Sequence, residues 1–160
     1  MKTYDIGFDQ AYRLAVENAA PIARQTLPIQ NAVGRVLAEP VIAKVDSPSV
    51  DASLKDGYAV VSADLSHASS KNPVKLEIIG SVAAGGHIDV PLARGQAVRI
   101  LSGAPLPEGA EAVLAEEFTD AGGGGQLIAA CATAEPGRNV QPRGEDVSSG
   151  ENLAEAGEMV

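Results

Sequence analysis

Residues 51–60, DASLKDGYAV, mark the place where the hydrophobic pattern of this chain changes. A small polar run ends there, and the Gly57–Tyr58 step begins a short apolar strand. Asp56 directly precedes the glycine, so a sharp turn would hold its carboxylate at the edge of that strand. The local sequence alone favours a simpler interpretation, in which Asp56 bonds the N–H groups of its own turn and Lys55 is solvated.

The residues before this stretch predict helices. Apolar residues recur at spacings of three and four from Phe8 to Ala19, and Pro21 closes that segment. LPIQNAVGRVL, residues 27–37, predicts a second, shorter helix with Pro28 in its first turn. A short strand is expected at residues 41–43, before the polar run.

After residue 57 the hydrophobic period becomes two. Four stretches have the pattern of strands: PVKLEII, QAVRIL, EAVLAEEFT and QLIAACAT. GGGG, residues 122–125, joins the last two as a flexible hairpin turn. Several short strands separated by turn signals predict a small barrel or sandwich.

Polar residues return after Gly137, without a helical or strand period. We interpret this segment as an ordered return to the N-terminal part of the chain. The predicted fold class is therefore α+β, with two domains. A discontinuous, elongated domain of short helices and small strands comprises residues 1–50 and 138–160, and an inserted β-rich domain like a barrel or sandwich comprises residues 51–137.

Composition limits the classes of protein to which the chain can belong. The sequence has 160 residues, 45% of them hydrophobic, with no tryptophan and 3% aromatics, which predicts a small-grained aliphatic core. The single cysteine, Cys131, fits a reducing cytoplasm, and neither a signal peptide nor a membrane span is evident. A net charge of −9 without a basic block argues against nucleic acid as a partner. We expect a cytoplasmic protein without membrane partners.

Self-sufficient catalytic signatures are absent from the sequence. It has no phosphate-binding P-loop, no H-E-x-x-H and no G-x-S-x-G motif. His67 and His87 have no Cys or His at ligand spacing, so both are predicted to lie at the surface. Cys131 has no basic neighbour in sequence, which predicts a buried, inert thiol.

Two further stretches have residues that suit a binding site. In RILSGAPLPEGAEAV, residues 99–113, prolines and glycines predict a stiff loop whose N–H groups could bind an anion beside Ser102. In PRGEDVSSG, residues 142–150, adjacent acids and Arg143 suit a Mg²⁺ ion that takes one or two carboxylates plus substrate oxygens. The alternatives are a rigid connection between strands and a solvated turn, respectively.

Taken in order, these stretches resemble a known family. DASLKDGYAV is similar to the S-x-x-D-G-Y-A segment of molybdopterin molybdenumtransferases, the family of MoeA and the gephyrin E domain. The stretch that begins with RILSGAPLPEGAEAV, residues 99–113, resembles the family segment R-I-x-T-G-A-P-x-P-x-G-A-D-A-V-V…E. The segment GRNVQPRGEDVSSGENLAEAGEMV resembles the family segment G-x-N-x-R-x-x-G-E-D-I…G…G. The resemblance covers nearly the whole chain, and the second and third motifs are specific.

The resemblance implies a function and a set of site residues. Members insert molybdate into adenylylated molybdopterin in a Mg²⁺-dependent reaction that releases AMP, and they are elongated homodimers. Carried over, Asp56 and Asp146 are the catalytic carboxylates that would also hold the metal. Ser102, which replaces the usual threonine, Gly103 and Arg143 would bind the anionic substrate, and so would Lys55.

The resemblance also has two departures. Lys55 replaces the usual methionine, which leaves open whether molybdate or tungstate is preferred. The family's pterin-binding domain, with its Gly-Asp-Glu motif, and its C-terminal barrel have no counterpart in this sequence. We therefore expect a transferase of this family that is inactive as this chain alone and supplies one side of a cleft. The alternative is a non-catalytic dimerisation or docking module.

Overall fold

The computed structural model describes residues 6–20, 22–87, 89–121 and 125–160. Within these ranges there is one α-helix, α1 (Phe8–Asn18), and short 3₁₀ turns lie at Ile29–Asn31, Ser62–Leu65 and Glu116–Phe118. The strands are β1 (Val41–Ile42), β2 (Ala52–Ser53), β3 (Gly57–Val60), β4 (Val74–Val82), β5 (Gln96–Ile100), β6 (Ala112–Ala115), β7 (Thr119–Ala121), β8 (Leu127–Ala130), β9 (Val140–Gln141) and β10 (Asn152–Ala154).

The chain divides into two compact units. The first contains the residues up to Pro40 together with Ala154–Val160, and the second contains Val41–Leu153. The domain limits predicted from the sequence, 1–50 with 138–160 and 51–137, stay a prediction.

The second unit is built on a six-stranded sheet. Its strand order is β6-β3-β5-β4-β8-β7, and its pairs are antiparallel except β4 with β5. Two smaller ladders pair β2 with β9 and β1 with β10.

The six-stranded sheet must be curled. Its two edge strands, β6 and β7, are separated in sequence only by Glu116–Phe118. In a flat sheet they would lie about 24 Å apart, at about 4.8 Å per strand spacing. The four Cα–Cα steps from the end of β6 to the start of β7 span at most about 15 Å, which is too short for that distance. The sheet therefore closes part-way into a half-barrel.

Aliphatic side chains pack on both faces of this sheet. One cluster includes Tyr58, Leu76, Leu114 and Ile128, and the other includes Val98, Ile100 and Val113. Alternate residues of one strand supply different clusters, since Tyr58 and Val60 belong to the first and Ala59 to the second. The predicted aliphatic, small-grained core is confirmed by these clusters.

The first unit shows where the predicted helices form. The first predicted helix corresponds to α1, whereas Pro21 lies outside the described residues. The second predicted helix is wrong, because residues 27–37 form only the 3₁₀ turn Ile29–Asn31. Gly34 has a φ of 75°, and Leu37 donates its N–H to the Glu158 carbonyl at 2.8 Å. A pairing with the C-terminal residues has replaced the helix.

The strand predictions also need corrections. EAVLAEEFT contains two strands, β6 and β7, with a 3₁₀ turn between them. The segment after Gly137 contains β9 and β10, although no strand period was seen there. The other predicted strands, including the one that begins at Gly57, correspond to β1, β3, β4, β5 and β8. Of the predicted GGGG turn, residues 122–124 lie outside the described residues.

The fold as a whole is mostly sheet with one α-helix in the described part of the chain. The predicted α+β class with several helices is therefore not confirmed. The barrel-like second domain was close to the observed half-barrel, while a closed barrel or a two-sheet sandwich was not observed. Over the described ranges, no helix has the length and apolar character needed to cross a membrane.

Candidate functional site

Asp56 lies in the turn between β2 and β3, and its carboxylate reaches another loop. The Ser102 N–H donates to Asp56 Oδ1 at 2.7 Å, across 46 residues of sequence. The Asp56 carbonyl accepts the Glu116 N–H at 3.0 Å. The simpler interpretation, a carboxylate bonded to its own turn, is thus not the observed arrangement. Instead Asp56 is fixed against the loop that follows β5.

The turn itself is shaped by a buried serine and a glycine. The Ser53 hydroxyl, 2% exposed as a residue, donates to the Lys55 carbonyl at 2.6 Å and accepts the Lys55 N–H at 3.2 Å. Gly57 then lies between β5 and β6, where a Cβ would be 2.1 Å from the Leu114 carbonyl oxygen. This crowding allows only glycine directly after Asp56.

The loop after β5 holds its backbone donors in place by internal contacts. Gly103, with a φ of 77°, donates its N–H to the Ser53 carbonyl at 2.8 Å. The Ala104 N–H donates to the Leu101 carbonyl at 3.0 Å. Together with the Ser102–Asp56 bond, this leaves residues 102–104 without a free N–H group. An anion beside Ser102 would therefore have to use groups other than these three N–H groups, and anion binding by Ser102 and Gly103 stays a prediction.

These elements border an open depression of about 420 Å³. Its walls combine one cation with several acids, and are formed by Leu54, Lys55, Asp56, Ser102, Ala115, Glu116 and Glu117. An anionic ligand at this place needs positive charge beyond Lys55, from a metal ion or from other protein groups.

Asp146 lies in a second neighbourhood, in the loop after β9. Its N–H donates to the Ser47 carbonyl at 2.9 Å, and its Oδ1 accepts Gln141 Nε2 at 3.0 Å. The neighbouring Arg143 donates its backbone N–H to Asp51 Oδ1 at 2.8 Å and its Nε to Asp46 Oδ2. The 46–51 segment thus supports the loop that carries Asp146.

Asp46 and Asp51 were not singled out from the sequence. Their signal was present in the polar run DSPSVDAS, but nothing local shows which distant residues these carboxylates bind. The Ser149 N–H and then the Arg143 guanidinium hold the pKa of Asp46 below its ordinary value of 3.8, against an opposing effect of burial. Asp46 is therefore a stably ionised carboxylate in the folded chain.

The two histidines lie at the surface as predicted, whereas the cysteine is less buried than predicted. His67 and His87 are exposed, and His87 Nε2 lies 2.9 Å from Asp89 Oδ1. Cys131 follows the end of β8 and is half-buried rather than buried.

Comparison with known proteins gives the family. The protein-family model described as the MoeA N-terminal region (domain I and II) matches residues 6–160. The chain belongs to this family. Molybdopterin molybdenumtransferase 2 of Mycobacterium tuberculosis is 38% identical over 135 residues, which is 84% of this chain and 33% of that protein. Molybdopterin molybdenumtransferase of Bacillus subtilis is 34% identical over 161 residues, 99% of this chain and 37% of that protein.

Solved structures of the MoeA family agree in fold. Two structures of the molybdopterin biosynthesis MoeA protein from Pyrococcus have TM-scores of 0.87 and 0.86 with 33% and 32% identity. Each alignment covers 97% of this chain, and 39% and 41% of the respective Pyrococcus chains. The chain spans about a third of the length of the curated MoeA relatives named above.

Within this MoeA N-terminal region, the predicted site residues form two groups. Lys55, Asp56 and Ser102 border one depression, with Gly103 next in the loop, whereas Arg143 and Asp146 share the loop after β9. β2 and β9 are antiparallel, with Ala52 opposite Gln141 and Ser53 opposite Val140. Asp56 follows β2 and Asp146 follows β9. Because the two strands are antiparallel, the chain leaves one end of the ladder toward Asp56 and the other end toward Asp146.

The two groups bear on whether the chain can hold a metal ion. Among the described residues no three or more His, Cys, Asp or Glu side chains are grouped to bind one. Asp56 and Asp146 each have one oxygen with a hydrogen bond to the protein and a second oxygen without one in the described part of the chain. Each fits as a single Mg²⁺ ligand completed by water and substrate oxygens.

Proposed function

We propose that this chain is the N-terminal part of an enzyme of molybdenum cofactor biosynthesis that inserts molybdate into adenylylated molybdopterin. Membership of the MoeA N-terminal family supports the proposal. The observation that carries it is the Asp56 carboxylate, which is anchored by the Ser102 N–H at 2.7 Å and borders an open depression beside Lys55.

The residues of this depression have complementary tasks in the proposed reaction. Lys55 would attract the negatively charged substrate, and Asp56 would present an oxygen at a fixed place, because its other oxygen is bonded to the loop. Mg²⁺, when bound, would offset the charge of the phosphate and molybdate oxygens. Glu116 is paired with Arg99 at 3.1 Å, but Asp56 and Glu117 add negative charge to the depression, which favours this added positive charge.

The second neighbourhood would act on another part of the substrate. Arg143 is held by Asp46 through Nε, so its terminal nitrogens remain for an oxyanion. Asp146 is the other proposed catalytic carboxylate and a second single-ligand position for Mg²⁺. Since the two groups lie beyond opposite ends of the β2–β9 ladder, we assign them to different parts of one extended ligand.

The proposed enzyme needs more than this chain. The relatives named as molybdopterin molybdenumtransferases are about two and a half times as long. We propose that the part of the protein that binds the pterin lies outside residues 1–160, that this chain alone is inactive, and that the enzyme is a cytoplasmic homodimer.

A non-catalytic dimerisation or docking module is the alternative. The observation that favours it is α1, which contains no buried residue and exposes apolar side chains. Both functions predict self-association, but only the first predicts turnover that depends on Asp56 and Asp146.

Substitution of Asp56 and Asp146 by asparagine in the intact protein that contains this chain tests the proposal. We expect either change to lower the rate of molybdate insertion about a hundredfold or more, while the melting temperature stays close to that of the wild type. Asp120→Asn, an equal change at an exposed position of β7, is the matched control and should leave the rate unchanged. Wild-type turnover in Asp56→Asn would refute the catalytic assignment.

A further inference from the structure

We propose that Asp46 is a positioning residue that fixes the loop of residues 143–149, and with it the Asp146 carboxylate and the Arg143 guanidinium. The inference deepens the proposed function and rests on it. Asp46 itself lies in the polar run before β2, 100 residues before Asp146 in the sequence.

Both oxygens of Asp46 are used to hold the two ends of this loop. Oδ1 accepts the Ser149 N–H at 2.7 Å, and Oδ2 accepts Arg143 Nε. The Asp46 side chain is 15% exposed, whereas that of Arg143 is 66% exposed. A single, mostly covered carboxylate thus joins the first and last parts of the loop by charge-assisted hydrogen bonds.

The backbone next to Asp46 holds the middle of the same loop. The Ser47 carbonyl accepts the N–H groups of Asp146 at 2.9 Å and Val147 at 3.2 Å. The Ser47 N–H donates to the Val147 carbonyl at 2.8 Å, and Gly144 donates to the Pro48 carbonyl at 2.9 Å. Displacement of Asp46 would therefore be transmitted to the backbone of Asp146.

Gly144 shows how closely the loop packs on Asp46. Its φ is 73°, and a Cβ built there would lie 3.3 Å from Ser148 Oγ and 3.5 Å from Asp46 Oδ1. The left-handed backbone and this close packing leave the loop little freedom around the carboxylate.

Asp46 acts through Arg143 and Asp146 rather than on the substrate. Because both of its oxygens accept hydrogen bonds from the protein, it is poorly suited to serve as a ligand itself. Asp51 assists by accepting the Arg143 backbone N–H at 2.8 Å. Arg143 is thus held at both backbone and side chain, with no partner for its terminal nitrogens among the described residues.

The chain contains a matched control for this carboxylate. Asp64 also joins an arginine side chain to a backbone N–H, since it accepts Arg94 Nε on Oδ1 and the Gly95 N–H on Oδ2 at 2.7 Å. Its side chain is 9% exposed. Asp64 has the same chemistry and similar burial, but it holds the loop before β5.

Amide hydrogen exchange and steady-state kinetics on Asp46→Ala and Asp64→Ala, in the intact protein, test the proposal. In Asp46→Ala the amides of Asp146, Val147 and Ser149 should exchange about tenfold faster or more, while those of β3 and β5 keep their protection. Molybdate insertion should slow about tenfold or more, mainly through kcat. Asp64→Ala should produce neither change.

Asp46→Asn adds a graded variant that keeps an oxygen for Ser149 but loses the charge opposite Arg143, so its effects should be intermediate. Wild-type exchange in the loop of Asp46→Ala would overturn the proposal, and so would faster exchange with unchanged kcat. Absence of insertion activity in the wild type would refute the proposed function instead, and the exchange data would still decide whether Asp46 fixes the loop.

Discussion

Both the fold and the candidate site require a residue without a Cβ atom at position 57, which is Gly57. It pairs with Ile100 on one side and Ala115 on the other, and the Leu114 carbonyl oxygen occupies the place of a Cβ at 2.1 Å. We expect Gly57→Ala to lower the free energy of unfolding by about 3 kcal/mol or more, because strands must separate to accept the methyl group. Urea denaturation of the variant measures this loss.

Gly95→Ala is the control for this prediction. Gly95 has a φ of 79° but open space around its Cβ position, so the substitution introduces backbone strain without a clash. It should cost only about 1–2 kcal/mol. Equal losses in the two variants would contradict the clash at Gly57.

Asp46 also makes a contribution to stability that depends on pH. Its pKa is lowered from 3.8 in the folded chain, chiefly by the Ser149 N–H and then by Arg143, so the unfolded chain binds the proton more readily. The stabilisation is complete well above the unfolded pKa and is lost as the pH falls through the lower, folded pKa. The difference in melting temperature between wild type and Asp46→Asn should therefore be largest near neutral pH and shrink below about pH 4. A difference that stays constant across this range would contradict it.

At the scale of the elements, the local hydrophobic pattern predicts which side chains of a strand are buried better than it predicts which strands pair. The alternation of PVKLEII correctly places Leu76 inside and Glu77 outside on β4, because the side-chain period of a strand is a local property. The same pattern contains nothing about direction, and β4 pairs parallel to β5 with a register shift between Ile78 and Gly80. Strand order depends on which distant segment is available, which no window of sequence shows.

The second predicted helix failed for the same reason. Its apolar spacing is genuine, but the backbone of residues 34–37 finds partners in residues 157–160, more than a hundred positions away. A short helix with an internal glycine is weak, so this long-range pairing replaces it.

Sequence motifs indicate candidate residues for the site, which stay predictions, but they do not indicate its geometry. The motifs indicate Asp56, Ser102 and Asp146, and the structure brings the first two into contact. It also shows that Asp146 lies in the loop after β9, where it is bonded by Gln141, while Asp46 and Asp51 bond the neighbouring Arg143. A hydrogen bond between segments so far apart in sequence leaves no local signal, and the two supporting aspartates were therefore missed.

At the scale of the whole molecule, the two units differ in how they bury apolar side chains. Every buried hydrophobic residue of the described chain lies in the unit formed by Val41–Leu153. In the other unit α1 has no buried residue, and Phe8 and Tyr12 are 83% and 64% exposed. An isolated helix of this length is marginal in water, so its apolar face needs a cover.

We expect a second copy of the chain to provide that cover, in line with the proposed homodimer. Phe8 and Tyr12 stack on one face of α1 with ring centroids 6.3 Å apart, so a charge placed there would be buried without a partner in the dimer. Tyr12→Asp should therefore abolish self-association in sedimentation velocity over a wide range of concentrations. Gln10→Asp, which adds the same charge to the opposite face of the helix, should leave it intact. If both variants associate as the wild type does, the dimer does not use this face, and α1 must be covered by some other part of the complete protein.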